Sequence, residues 1–150
     1  MYISARSDYA LRALVVLAAE GRPLTAEELA GREGLPVSYL EAILLDLRRA
    51  GIVQSRRGPD AGYRFTRRPE DLTAADVMRV LDGPLAEVRG DRPEATQYAG
   101  VTAPVQELWI GLRASIRDVL ERVTIAQLAA SRLPRHVRKL VDDPEAWRPH

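Results

Sequence analysis

The chain has 150 residues, of which 46% are hydrophobic and 29% charged, enough to pack the core of one domain carrying an appendage. It contains no cysteine, and its two histidines, His136 and His150, both fall in the last 15 residues. Disulfides, thiolate zinc sites, cysteine-held iron–sulfur clusters and thiol redox switches are therefore excluded, and the body of the chain has no soft metal ligand. The net charge is +1, and no apolar run approaches the roughly 18 residues of a membrane span. The start, Met1-Tyr2-Ile3-Ser4-Ala5-Arg6, lacks the basic-then-apolar layout of a signal peptide, so no membrane association is expected and the expected address is the cytoplasm.

Ser4 or Ser7 can cap a first helix to about Glu20, with Leu11, Leu14, Val15 and Ala18 on one face and Gly21-Arg22-Pro23 ending it. Thr25-Ala26-Glu27-Glu28 is a capping box that opens a short helix to about Arg32. The turn Glu33-Gly34-Leu35 leads to a helix from about Val37 to Ala50, stopped by Gly51. Leu29, Ala30, Gly34, Leu35, Leu40 and Ile43 have the spacing of a helix-turn-helix. Ala30 is small where the helices cross, Gly34 supplies the turn, and the rest pack the pair at a steep angle so that the second helix protrudes.

Two β-prone runs then flank a tight turn at Gly58-Pro59-Asp60, which predicts a hairpin wing over 51–65. Between Arg48 and Arg68 stand seven arginines (48, 49, 56, 57, 64, 67 and 68) against the single acid Asp60. Charge gathered around a hairpin favours a phosphate-contacting patch over an ordinary solvated face. Thr73-Ala74-Ala75-Asp76 caps a further helix ending at Gly83-Pro84. A loop with uncertain local helix follows over 84–103.

Pro104 starts the longest expected helix, to about Ala130, with Val105, Leu108, Leu112, Ile116, Val119, Leu120 and Val123 stepping by three and four and Trp109 widening the stripe. That stripe packs either on its own domain or, the favoured reading, on a second copy of the chain. The tail, 134–150, reads as frayed or partly ordered. The division is a winged helix-turn-helix domain (1–83), a loop (84–103), a dimerisation helix (104–133) and the tail. The fold class is mainly α with a small β-hairpin wing.

In this geometry the first turns of the second helix face the major groove. Val37, Ser38, Tyr39, Glu41 and Ala42 are the side chains available there, with Tyr39 either packed in the core or touching phosphate. Glu41 has the acceptors to take a hydrogen bond from a cytosine amino group. Arg56 and Arg57 are placed to enter a minor groove, and Gly58, Arg49 and Thr25 complete the expected contact set. An enzyme is disfavoured, because no nucleophile–base pair and no phosphate-binding glycine loop is present.

At this point the chain resembles the Rrf-two family of bacterial transcription regulators, from Met1 to about Leu133. The likeness lies in Tyr9 to Leu14, Tyr39-Leu40-Glu41, Leu47 to Val53, Arg57-Gly58-Pro59, Gly62-Tyr63, Val77 to Gly83, Leu108-Trp109 and Val123 to Leu128. The resemblance implies a homodimer that binds palindromic double-stranded DNA, usually as a repressor, with the long helix crossing to the partner. It also implies base-approaching positions at Ser38, Tyr39 and Glu41 and a minor-groove arginine at Arg57. The family commonly has a glycine-rich wing turn where this chain has Asp60-Ala61, an acid that repels phosphate. Its well-known members hold an iron–sulfur cluster through three cysteines, sometimes with a histidine; the cysteine slots fall here near Asp91, Gln97 and Ala103 and the histidine slot near Gln106, and none carries the ligand. The resemblance thus points to a branch without a cluster cofactor, controlled by an unidentified small-molecule effector or a regulatory protein partner. Tyr98 and Trp109 are candidate walls of an effector pocket, with plain core packing the alternative for Trp109. A protein-interaction module that kept this fold and lost DNA binding is the rival reading.

Overall fold

The computed structural model describes residues 2–149. Helix α1 (Ala5–Glu20) is capped by Ser4, whose hydroxyl accepts the Ser7 N–H, and is closed by Gly21 in the left-handed region at φ 66°. Helix α2 (Ala26–Glu33) opens on the reciprocal Thr25–Glu28 capping box and ends at Gly34, φ 65°. Helix α3 (Val37–Arg49) follows, and then the antiparallel strands β1 (Val53–Arg56) and β2 (Gly62–Phe65), paired from Val53 opposite Phe65 to Arg56 opposite Gly62. Helix α4 (Ala74–Asp82) opens on a second capping box, Thr73–Asp76. The architecture is that of a winged helix-turn-helix, mostly helical with one two-stranded hairpin.

The core lies among α1, α2, α3 and the root of the wing. Leu14, Leu24, Leu29, Leu40, Ile43, Leu44 and Leu47 are fully buried there. Ala30 is buried and its carbonyl accepts the Leu35 N–H at 2.9 Å, which makes the helix-helix turn as tight as its small residue permits. Ser7, the one hydroxyl buried on α1, donates to Asp82 at 2.6 Å, and Ser4 donates to the same carboxylate. That carboxylate joins the start of α1 to the end of α4 and leaves no buried hydroxyl unpaired at the joint.

The C-terminal third differs from the sequence-based expectation. The helix expected from Pro104 to about Ala130 is two helices, α5 (Pro104–Leu120) and α6 (Ile125–Ala129). Thr124 and Gln127 form a third capping box, which starts a new helix and turns the chain. The turn is pinned to the winged-helix body, where the Ala74 N–H donates to the Val123 carbonyl at 2.8 Å and the Ile125 N–H to the Leu72 carbonyl at 2.9 Å. Val123 is buried in that body and is no part of the α5 stripe, so the expected helix of 104–133 contracts to 104–120 and 123–129 rejoin the domain of 1–83. The tail is also more ordered than expected. Residues Arg135–Val141 form α7, with Val137 buried and the His136 Nε2–H donating to the Asp118 carbonyl at 2.9 Å. The 84–103 loop carries two short 3₁₀ turns, and His150 lies outside the described residues.

Candidate nucleic-acid interface

Helix α3 divides cleanly. Leu40, Ile43, Leu44 and Leu47 anchor it in the core, while Val37, Ser38, Tyr39, Glu41 and Ala42 form an exposed face on its first two turns. Pro36 precedes the helix and provides no side-chain cap, so the first N–H groups are left to solvent or to an acceptor brought from outside. Tyr39 is 41% exposed, and its ring meets Tyr9 edge-to-face at 5.6 Å. The Arg12 guanidinium stacks over Tyr9 at 5.7 Å and bonds Glu33. Tyr39 is thus exposed and not part of the core, with its ring resting edge-on against Tyr9. Sequence reasoning missed Tyr9 and Arg12 as the support of this face, because their role depends on the crossing of α1 and α3.

The wing is held at its root by a third segment. Leu24 and Tyr63 exchange backbone hydrogen bonds of 3.1 and 2.7 Å, laying the α1–α2 connection beside β2. Gly62 sits at φ 135° where a Cβ would come 2.6 Å from the Leu24 carbonyl carbon, so only glycine permits this approach. At the tip, Gly58 is at φ 102° and its carbonyl accepts the Ala61 N–H at 3.0 Å, closing a turn through Pro59-Asp60.

The basic stretch is partly neutralised by acids that the linear count leaves out. Arg49 pairs with Asp46 at 3.6 Å, Arg68 with Asp71 at 2.9 Å, and Arg67 with Asp76 at 3.9 Å. Arg48 donates to Ser55, bracing the end of α3 against β1. Among the described residues, Arg56, Arg57 and Arg64 have no carboxylate partner, so the unneutralised charge gathers on the wing, with Arg56 and Arg57 exposed. Thr25 stands at the start of α2, its hydroxyl accepting the Glu28 N–H at 3.1 Å. That carboxyl is held below its ordinary value, first by the Thr25 backbone N–H and then by Arg22.

On α5 no residue is buried. Leu108 is 61% and Leu112 46% exposed, while Val105, Ile116, Val119 and Leu120 are half-buried. Trp109 lines a cavity of about 380 Å³ with Tyr2, Leu85, Glu87 and Ile116, and its buried Nε1–H has no partner among the described residues. Tyr98 is not among the walls of that cavity, so the expected aromatic pair is not brought together.

The family model described as "Rrf2: Iron-dependent Transcriptional regulator" matches residues 3–131. Rv1287 of Mycobacterium tuberculosis, provisionally named an HTH-type transcriptional regulator, is 43% identical over 97% of this chain and 92% of its own. The HTH-type transcriptional regulator CymR of Bacillus subtilis is 36% identical over 87% of this chain and 91% of its own. The solved structure of CymR, described as the global cysteine regulator of that organism, superposes with a TM-score of 0.74 and 32% identity, covering 87% of this chain and 98% of that one. The T. potens IscR structure superposes at 0.68 with 29% identity, covering 100% and 93%.

The family is described as iron-dependent, and the residues here do not fit an iron–sulfur cluster. The Gln106 amide lies across the 93–96 turn and donates to the Pro93 and Glu94 carbonyls at 3.3 Å and to that of Thr96. Ala103 has no ligating atom, there is no thiol in the chain, and no group of three or more candidate ligand side chains converges among the described residues. The loop is thus organised by an amide spanning backbone carbonyls where a cluster would need thiolates. With its winged helix-turn-helix and its likeness running from residue 3 to 131, the chain belongs to the Rrf2 (Rrf-two) family of transcriptional regulators and is not an enzyme.

Proposed function

We propose that the protein is a homodimeric, sequence-specific regulator, most simply a repressor, that reads an inverted-repeat operator in the cytoplasm without an iron–sulfur cluster. The observation that carries this reading is the pairing of an exposed α3 face with wing arginines that lack carboxylate partners. Ser38, Tyr39 and Glu41 address base edges in the major groove, Val37 and Ala42 make apolar contact there, and Arg56, Arg57 and Gly58 engage the adjoining backbone and minor groove. Arg49 and Thr25 contact phosphate from the ends of their helices.

The second copy docks along α5, whose Leu108 and Leu112 are too exposed to be left in water over so long a helix. Control comes from a small molecule or a partner protein. The Trp109 cavity is the candidate for the former, since its buried indole N–H has no acceptor among the described residues.

Selection of binding sites from a random duplex pool tests the reading. The expected product is an inverted repeat whose half-sites lie about one helical turn (~34 Å) apart or a multiple of it. Binding should weaken steeply as salt rises. A folded protein that enriches nothing in low salt overturns the reading in favour of the interaction module.

A further inference from the structure

A second concentration of arginines lies away from the wing, where the end of α4, the loop over 83–94 and α5 meet. The cavity there is about 480 Å³, and Arg79, Arg92, Arg113 and Arg117 line it together with Glu94 and the apolar turn Pro84-Leu85. Arg113 bonds Glu94, Arg79 bonds Glu121, and Arg117 Nε bonds Glu121 at 2.9 Å. Both carboxyls are held below their ordinary value. Glu94 is held by its own backbone N–H first and by Arg113 next, Glu121 by Arg117 first and by Arg79 next. Four guanidiniums face two carboxylates, and Arg92 pairs with neither. The cluster therefore has an excess of two positive charges around a concavity of ligand size.

From this arrangement we infer a binding site for a small, multiply charged oxyanion, a di- or tricarboxylate or a phosphate-bearing metabolite, held by Arg79, Arg92 and Arg117 over the Pro84-Leu85 turn. Guanidinium forks suit such groups because two N–H bonds lie parallel to the two oxygens of a carboxylate or phosphate. Arg79 belongs to the winged-helix body and Arg117 to α5, and Glu121 bridges them. A ligand that takes these two arginines displaces Glu121 and replaces the bridge between α4 and the last turn of α5. That consequence, unlike the binding itself, rests on the dimeric DNA-binding reading, in which the angle of α5 to the body sets the spacing of the two recognition helices. The pattern was invisible along the chain because its members come from three segments far apart in sequence.

Titration calorimetry of the full chain with citrate and with pyrophosphate, at constant ionic strength and without DNA, tests the site. The expected result is saturable binding of at least one of them at one per chain. Citrate alone assigns carboxylate ligands, pyrophosphate alone phosphate ligands, and both assign the site to charge. Arg92→Gln and Arg117→Gln should each weaken binding about tenfold, the loss expected for one charged hydrogen-bonding partner. Arg138→Gln on α7 should leave it unchanged. Arg92 is exposed and has no carboxylate partner among the described residues, so its variant should keep the parent's melting temperature, which separates a loss of binding from a loss of fold. No saturable heat from either anion, or equal binding by the Arg92 and Arg117 variants, overturns the site. Binding that leaves operator affinity unchanged overturns the coupling. The test without DNA stands apart from operator selection, so failure of one is not mistaken for failure of the other.

Discussion

Helices α3 and α5 carry the same kind of amphipathic pattern and meet opposite fates. Over 13 residues, α3 buries Leu40, Ile43, Leu44 and Leu47. Over 17 residues, α5 buries none, although its apolar side chains recur at the same steps of three and four. The apolar stripe of α3 is satisfied by its own domain, while that of α5 is only half covered by the 84–96 loop and the end of α4. Periodicity states that a stripe must be covered and is silent on which chain covers it. The two helices also differ in their polar faces. That of α3 is exposed over its first two turns, whereas that of α5 is occupied by ion pairs to Glu94 and Glu121.

The largest effects separate these two helices directly. Leu44→Ala opens a cavity in a fully buried site and should cost about 2–5 kcal/mol in urea unfolding. Leu108→Glu should leave the far-ultraviolet helical signal intact and shift the protein from dimer to monomer in sedimentation, with operator binding lost alongside. If Leu108→Glu unfolds the chain as Leu44→Ala does, α5 is part of the domain core and the contrast fails. Next in size is the wing root. Gly62→Ala places a Cβ against the Leu24 backbone at a positive φ and should cost about 1–3 kcal/mol, with operator binding weakened by the displaced hairpin. Gly111→Ala on α5, where a Cβ meets nothing, is the matched control and should be neutral or stabilising.

How far each region could be read in advance follows from how local its signals are. Ser4, Thr25 and Thr73 with Gly21, Gly34 and Gly51 punctuate the first half, so helices α1 to α4 and the hairpin were legible from neighbours in sequence. The α5–α6 break was written just as locally, in Thr124 and Gln127, but Val119, Leu120 and Val123 continue the apolar spacing across it and hide the turn. Only the tertiary bonds to Ala74 and Leu72 reveal that Val123 has changed sides. Arg49 and Arg68 counted as free charge along the chain, yet each meets an acid three residues away that lies just outside the arginine-rich window, and Arg67 meets Asp76 at the start of α4. The tail helix opens on Pro134, which read more readily as a stop.

A smaller effect sharpens the account of the wing. Arg57 is exposed and has no ion-pair partner among the described residues, so Arg57→Ala removes charge without breaking an ion pair there. Operator affinity should fall about tenfold, and the slope of log affinity against log salt should shrink by about 1 per protomer. Arg68→Ala is the contrasting case. Arg68 already pairs with Asp71 at 2.9 Å, and its loss should change the salt slope less. Equal slopes for the two variants would mean that pairing within the domain does not decide which arginines meet DNA.

The smallest expected effect comes from the three capping boxes, which share one geometry and differ in charge. Thr25–Glu28 and Thr73–Asp76 use a carboxylate, and Thr124–Gln127 uses a neutral amide. The Glu28 carboxyl is held below its ordinary value by the Thr25 backbone N–H first and by Arg22 after it. A carboxyl whose folded value is lowered adds its stability in full above the unfolded value and loses it as pH falls through the folded one. Glu28→Gln keeps the reciprocal geometry that Gln127 shows to be workable, and removes only the charge. Melting curves of parent and variant should therefore differ slightly at neutral pH and converge on the acid side of the carboxylate range. A gap of constant size down through that range would mean that the cap works by geometry alone, as at Thr124.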